Sequence, residues 1–218
     1  MTVNYEDNVF INCPFDDTYK SVFNLMVFAI HDAGFIARCA LEVDNTAQFR
    51  LQKIVDIISE CKYGINDISR TEIDPIKQLP RFNMPLELGI FLGCRAFGGK
   101  KHKTKICLVV DTEPYRYQEF ISDIAGQDIF PYHGDHKTLI HGIRSWLRTS
   151  SKRTNIPGAA TIHMRYSLFE EELPLICKKL NLHISELTFL DFTTIITEWL
   201  SLHPLLESTS LPRKPTNK

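Results

Sequence analysis

The run TKICLVVD, at 104–111, constrains the fold more than any other segment of this chain. It is continuous, apolar and rich in β-branched residues, with no polar alternation. A strand with two apolar faces is covered on both, which is the condition of a parallel sheet inside an α/β layer structure. Weaker runs of the same kind recur along the chain: VFIN from Val9, FIARCALE from Phe35, YGINDIS from Tyr63 and DIFPYH from Asp128. Between them the apolar spacing becomes helical. Val22, Phe23, Met26, Val27 and Ile30 share a stripe ended by Gly34, and Leu51, Ile54, Val55 and Ile58 share another. PLELGIFLGCRAFGG reads as a helix opened by Pro85 and closed by glycines, followed by helices in YQEFISDIAG and HKTLIHGIRSWLRTSS. Strands alternating with helices of this length imply right-handed crossovers. The fold class is therefore α/β: a flavodoxin-like (Rossmann-like) five-stranded, mainly parallel sheet of order 2-1-3-4-5, flanked by helices.

At 218 residues the chain suits one domain with an appendage. The linker TNIPGA separates an α/β domain over 1–153 from a C-terminal helical extension over 154–202, where LFEEELPLICKKLNL and TFLDFTTIITEWLSL are amphipathic. Residues 203–218 lack periodicity, hold three prolines after His203 and read as a flexible tail. Lys+Arg 25 against Asp+Glu 26 leaves no field to recruit nucleic acid or an anionic membrane. The apolar run Val22–Ile30 is too short to span a bilayer, and acidic Glu6 and Asp7 argue against a signal peptide. Six scattered cysteines without a C-x-x-C pair suit a reducing, cytoplasmic setting.

In an open parallel sheet, ligands bind beyond the carboxyl ends of the strands where the strand order reverses. For the order 2-1-3-4-5 that crevice lies between the first and third strands. The residues beyond those ends are Asn12, Cys13, Phe15, Asp16, Asp17 and Tyr19, then Glu42 and Asp44, then Asp67, Ser69 and Arg70. Arg81, Asn83 and Glu87 open the following helix. With Pro85 at or near the first helical position, Glu87 falls in the first turn, where the helix dipole favours its ionised form. Such a carboxylate either starts a helix or stabilises a positive charge that develops in a cleft.

Other features carry plainer readings. Asp17 suits helix capping, and Cys13 near a helix start has the address of a reactive thiol but no identifiable histidine partner. Gly89 and Gly93 suggest close helix–sheet packing, and Lys100–Lys105 a solvated basic loop. H-G-D-H at His133–His136 has no companion ligand set, so no metal is expected. No G-x-G-x-x-G or Walker lysine loop is present.

CKYGINDISR, followed by RFNMPLELGIFLG, resembles the third-strand and following-helix region of the nucleoside 2-deoxyribosyltransferase-like and TIR-like nucleotide-processing families. VFINCPFD resembles the loop that closes over the nucleotide in those families. The likeness covers about the first two-thirds of the chain. It implies that Glu87 is the catalytic carboxylate, Asp67 a supporting acid, and Asn12, Phe15, Asp16, Tyr19, Ser69 and Asn83 substrate-binding residues. The implied activity is cleavage or transfer at the N-glycosidic bond of NAD or a related nucleotide, as substrate rather than cofactor. A homo-oligomer and a part in prokaryotic antiviral defence are implied with it. Two alternatives stay open: a non-catalytic module that binds a nucleotide second messenger and signals through its C-terminal helices, and an interaction protein in which those helices form an oligomer.

Overall fold

The computed structural model describes residues 4–42, 49–73, 78–127 and 129–205. Five strands, β1 (Asn8–Asn12), β2 (Ile36–Arg38), β3 (Tyr63–Asp67), β4 (Ile106–Asp111) and β5 (Ile129–Pro131), form one sheet of order β2-β1-β3-β4-β5, parallel throughout. Six α-helices accompany them: α1 (Lys20–Asp32), α2 (Arg50–Ser59), α3 (Asn83–Phe97), α4 (His136–Ser151), α5 (Ala159–Leu180) and α6 (Phe189–Leu202). This is the flavodoxin-like α/β architecture with added C-terminal helices. Among the described residues no helix is long and apolar enough to cross a membrane.

The strand period of two divides the core. Val9, Ile11, Tyr63, Ile65, Leu108 and Val110 point toward α1 and α4. Phe10 faces the other way, onto Ile54, Ile57, Ile58 and Phe91 of α2 and α3. Gly64 of β3 lies on that second face, where an added Cβ would stand 2.6 Å from the Phe91 ring. The missing side chain is what lets α3 press against the sheet. On the first face α5 and α6 extend the same core: Phe28 of α1 meets Tyr166, Phe169 and Trp199 at centroid separations of 5.4, 5.2 and 5.8 Å. Arg165 of α5 pairs with Asp32 at 3.0 Å and donates to the His203 carbonyl at 2.7 Å, fixing α5 to the end of α1 and to the residue after α6. The 153/154 boundary thus marks a change in composition within one continuous core. Most of the tail expected over 203–218 lies outside the described residues.

Gly34 ends α1 as expected, at φ +79°, with Phe35 N–H bonded to Ile30 C=O at 3.0 Å and Gly34 N–H to His31 C=O at 2.9 Å. Three other expectations require correction. YQEFISDIAG is no α-helix but two 3₁₀ turns, Arg116–Glu119 and Ser122–Ile124. Tyr115 is left-handed at φ 63°, and Phe120 and Ile121 break the spiral with φ near −133° and −140°. Their side chains still pack on Ile68, Leu88 and Val109, so helical spacing of apolar residues here reflects a burial pattern without the helix. Gly89 and Gly93 do not face the sheet; a Cβ on either would meet nothing within 4 Å. The basic loop is only partly solvated, because Lys105 is buried and donates to the Ile58 and Cys61 carbonyls at the end of α2.

Candidate active site

The strand order places the reversal between β1 and β3, and their carboxyl ends carry the residues of interest. Asn12 and Asn66 lie side by side in register, and the Asn12 amide donates to Asn66 Oδ1 at 3.0 Å and to the Met84 carbonyl at 2.8 Å. Asn12 is fully buried. It braces the two strands against the first turn of α3 and so sets where that helix begins.

The helix begins earlier than Pro85 suggests. Asn83 is its first residue, Pro85 the third and Glu87 the fifth, so Glu87 lies in the second turn. Proline fits there because the first four N–H groups of a helix have no intrahelical acceptor. Glu87 is thereby removed from the free N–H groups, and the expected dipole support for its charge is absent. Instead it turns inward, 6% exposed. Burial pushes its carboxyl from 4.5 up to about 7, and Arg50 at the start of α2 draws it part of the way back. Two other arginines, Arg38 and Arg81, are engaged with different acids. Arg38 holds Glu42 at 2.6 Å and Glu60 at 2.8 Å, while Arg81 holds Asp16 at 2.6 Å. Among the described residues Glu87 is a buried carboxyl with no salt bridge.

Asp67 has the opposite surroundings. It closes β3 on the α1 side, accepts from the Tyr19 hydroxyl, and takes the Ser69 N–H at 2.7 Å. The Tyr132 hydroxyl, just past β5, lies 3.3 Å from Ser69 Oγ. Burial pushes the Asp67 carboxyl up, and the bonds from Ser69 and Tyr19 pull it back. Tyr19, Asp67, Ser69 and Tyr132 are each less than 4% exposed, so this quartet fixes loops. Asp67 is not brought to Glu87 as a partner. Both acids nonetheless act on the buried Cys13 thiol, whose pKa rises well above the ordinary value through burial first, then Asp67, Cys39, Glu87 and Asp16. A thiol so held is a poor nucleophile.

Asp16 stands at the rim, its carboxyl held below the ordinary value by the Thr18 hydroxyl and by Arg81. Asn83 is exposed at the mouth of α3. Phe15 packs edge-on to Phe23 at 5.3 Å and, with Asp16, lines a cavity of about 230 Å³ whose far wall is Phe189 and Phe192 of α6. Glu87 and Asp67 do not line that cavity. Asp44 lies outside the described residues. Among those residues no group of three His, Cys, Asp or Glu side chains is placed to hold a metal ion.

Sequence reasoning missed four contributors: Arg50, Tyr132, Asp111 and Arg116. Arg116 grips Asp111 Oδ1 at 2.7 Å and the Ile68 carbonyl at 2.7 Å, tying β4 to the exit of β3. The signal for Tyr132 and Asp111 was available, since each sits at the carboxyl end of a strand. Arg50 and Arg116 become visible only through tertiary contact.

No protein-family model matches this sequence, and no curated protein aligns with it. The likeness to the deoxyribosyltransferase-like and TIR-like families therefore rests on the quoted residues alone.

Proposed function

We propose that this chain cleaves or transfers the N-glycosidic bond of NAD or a related nucleotide, with Glu87 as the carboxylate that meets the developing charge. The observation that carries the reading is a buried carboxyl without an ion-pair partner at the strand-order reversal, held at about 7. A cationic ribosyl group arriving there supplies the counter-charge that the protein withholds, and so favours the ionised form. The C1′–N bond then breaks with its electron pair leaving on the nicotinamide, which departs neutral without needing an acid. Water adds to C1′ and releases a proton. At about 4 Å and an effective dielectric of 20, two unit charges attract by roughly 4 kcal/mol, or about a thousandfold in rate.

The test is Glu87→Gln, assayed by separating free base from intact NAD or nucleotide. The expected result is loss of cleavage by about a thousandfold in a folded variant, with wild-type rates rising from pH 6 to 8 as the carboxyl ionises. Equal rates in the two proteins would end the assignment.

The 230 Å³ cavity between the first loop and α6 favours a second reading, a nucleotide-binding module that signals through α5 and α6. In that case wild type and Glu87→Gln bind nucleotide alike, and neither releases base.

A further inference from the structure

The cavity of about 230 Å³ between the β1–α1 loop and the start of α6 has apolar walls. Phe15 and Phe23 form one side, and Leu173 of α5, Leu187, and Phe189 and Phe192 of α6 form the other. The rings of Phe23 and Phe189, 6.0 Å apart, join the two. A dry cavity of about 150 Å³ takes a benzene ring, so this one takes a ring or branched chain with a few more atoms attached.

The rim is where the cavity becomes selective. Of the polar residues there, Asp16 is committed to Thr18 and Arg81, and Thr188 to Asp191. Asp17, Lys20 and Asn24 make no side-chain hydrogen bond or ion pair among the described residues. Asp17, which its position suits to helix capping, caps nothing, because the N-cap of α1 is Tyr19 and no side chain bonds there. The first turn of α1 also holds no acid, so the positive end of its dipole is unopposed. One free negative and one free positive side chain thus stand three positions apart beside an apolar hollow.

We infer that this cavity binds a free α-amino acid with a large apolar side chain, as the zwitterion. The side chain enters among Phe23, Leu187, Phe189 and Phe192. The carboxylate lies at Lys20 and the first turn of α1, where Asn24, one turn further on, offers its amide N–H, and the ammonium lies at Asp17. Charge decides against neighbouring chemistries. A simple carboxylate leaves Asp17 facing a like charge, an amine does the same to Lys20, and a zwitterion satisfies both. A nucleotide, the ligand of the second reading, brings its phosphates toward Asp17 with one free lysine to offset them. The inference does not rest on the Glu87 reading, since Glu87 does not line the cavity.

The experiment is isothermal titration calorimetry of the full chain with L-phenylalanine, N-acetyl-L-phenylalanine, L-phenylalaninamide, glycine and AMP, for wild type, Asp17→Asn and Lys20→Gln. Both positions are exposed, so the variants keep the fold, and far-UV circular dichroism checks it. Wild type is expected to bind phenylalanine, to bind the acetylated and amidated forms about fivefold more weakly, and to give no heat with glycine. Asp17→Asn is expected to bind phenylalanine about fivefold more weakly and N-acetylphenylalanine as wild type does, because that ligand has no ammonium to lose. Lys20→Gln is expected to weaken phenylalanine equally and to leave phenylalaninamide unchanged. Absence of heat with phenylalanine up to about 10 mM overturns the inference, as do affinities for it that both variants leave unchanged. Binding of AMP in place of phenylalanine also overturns it and assigns the cavity to the nucleotide.

Discussion

The two faces of the sheet are built to different depths. On one, α1 and α4 lie on the strands, α5 and α6 form a second layer over them, and a single cluster runs from Val9 to Trp199. On the other, α2 and α3 form one layer over two small clusters, centred on Phe10 with Phe91 and on Ile68 with Leu88. The deep face supplies rigidity, and the shallow face carries the unpaired acid. Stability and candidate catalysis are thus divided between opposite sides of the same strands. The largest expected effect follows on the deep side. Phe28 is fully buried amid Tyr166, Phe169 and Trp199, so Phe28→Ala is expected to cost about 3–5 kcal/mol in denaturant unfolding. Leu51→Ala, at a half-exposed position on α2, is expected to change stability by less than about 0.5 kcal/mol. Comparable losses at the two positions would erase the distinction between the faces.

The two carboxyls repeat the contrast. Asp67 is satisfied by Tyr19 and Ser69, whereas Glu87 is buried without such support. A carboxyl held at about 7 in the folded chain and 4.5 in the unfolded one binds its proton more tightly when folded. Stability is therefore greatest below pH 4.5 with respect to this group and declines as pH rises through 7, by about 3 kcal/mol in all. Glu87→Gln removes the ionisation. It is expected to stabilise the protein by up to about 3 kcal/mol at pH 8 and by little at pH 4.5, read from urea midpoints at the two values. A stabilising loss-of-charge variant that is also inactive would mark Glu87 as a group kept at a cost to the fold. Destabilisation at pH 8 would instead show that the carboxylate has a structural partner.

How much of this was legible in the sequence depends on what each signal encodes. TKICLVVD and the alternating helices were enough for the strand order, because burial on both faces leaves few arrangements. YQEFISDIAG misled because apolar spacing records which side chains are buried, and two 3₁₀ turns bury Tyr117 as a helix would. Pro85 indicated a helix start but is accepted anywhere in the first turn, so it could not fix Glu87 to the first or the second. For α3, periodicity separates two faces only when one is polar. With Leu88 and Phe91 on one side and Leu86 and Phe97 on the other, nothing in the order of residues says which pair is inside. The partners of Arg38 and Arg81 depend on approach between distant segments, which no local pattern contains.

The glycines of the shallow face measure its two sides separately. Gly64 lies under α3, and Gly64→Ala would put a methyl 2.6 Å from the Phe91 ring, forcing the ring or the strand to shift. The expected cost is about 1–3 kcal/mol, visible in thermal unfolding.

Gly89 lies on the other side of the same helix, where a methyl meets nothing. For Gly89→Ala the backbone terms alone decide the sign: alanine loses less conformational freedom on folding than glycine and shields the helix backbone. The substitution is expected to stabilise the single chain by about 0.5–1 kcal/mol, the smallest effect here and opposite in sign to Gly64→Ala. The comparison is best made by urea unfolding of the two single-glycine variants beside wild type. A loss would mean that the outer side of the helix already touches something within its own chain.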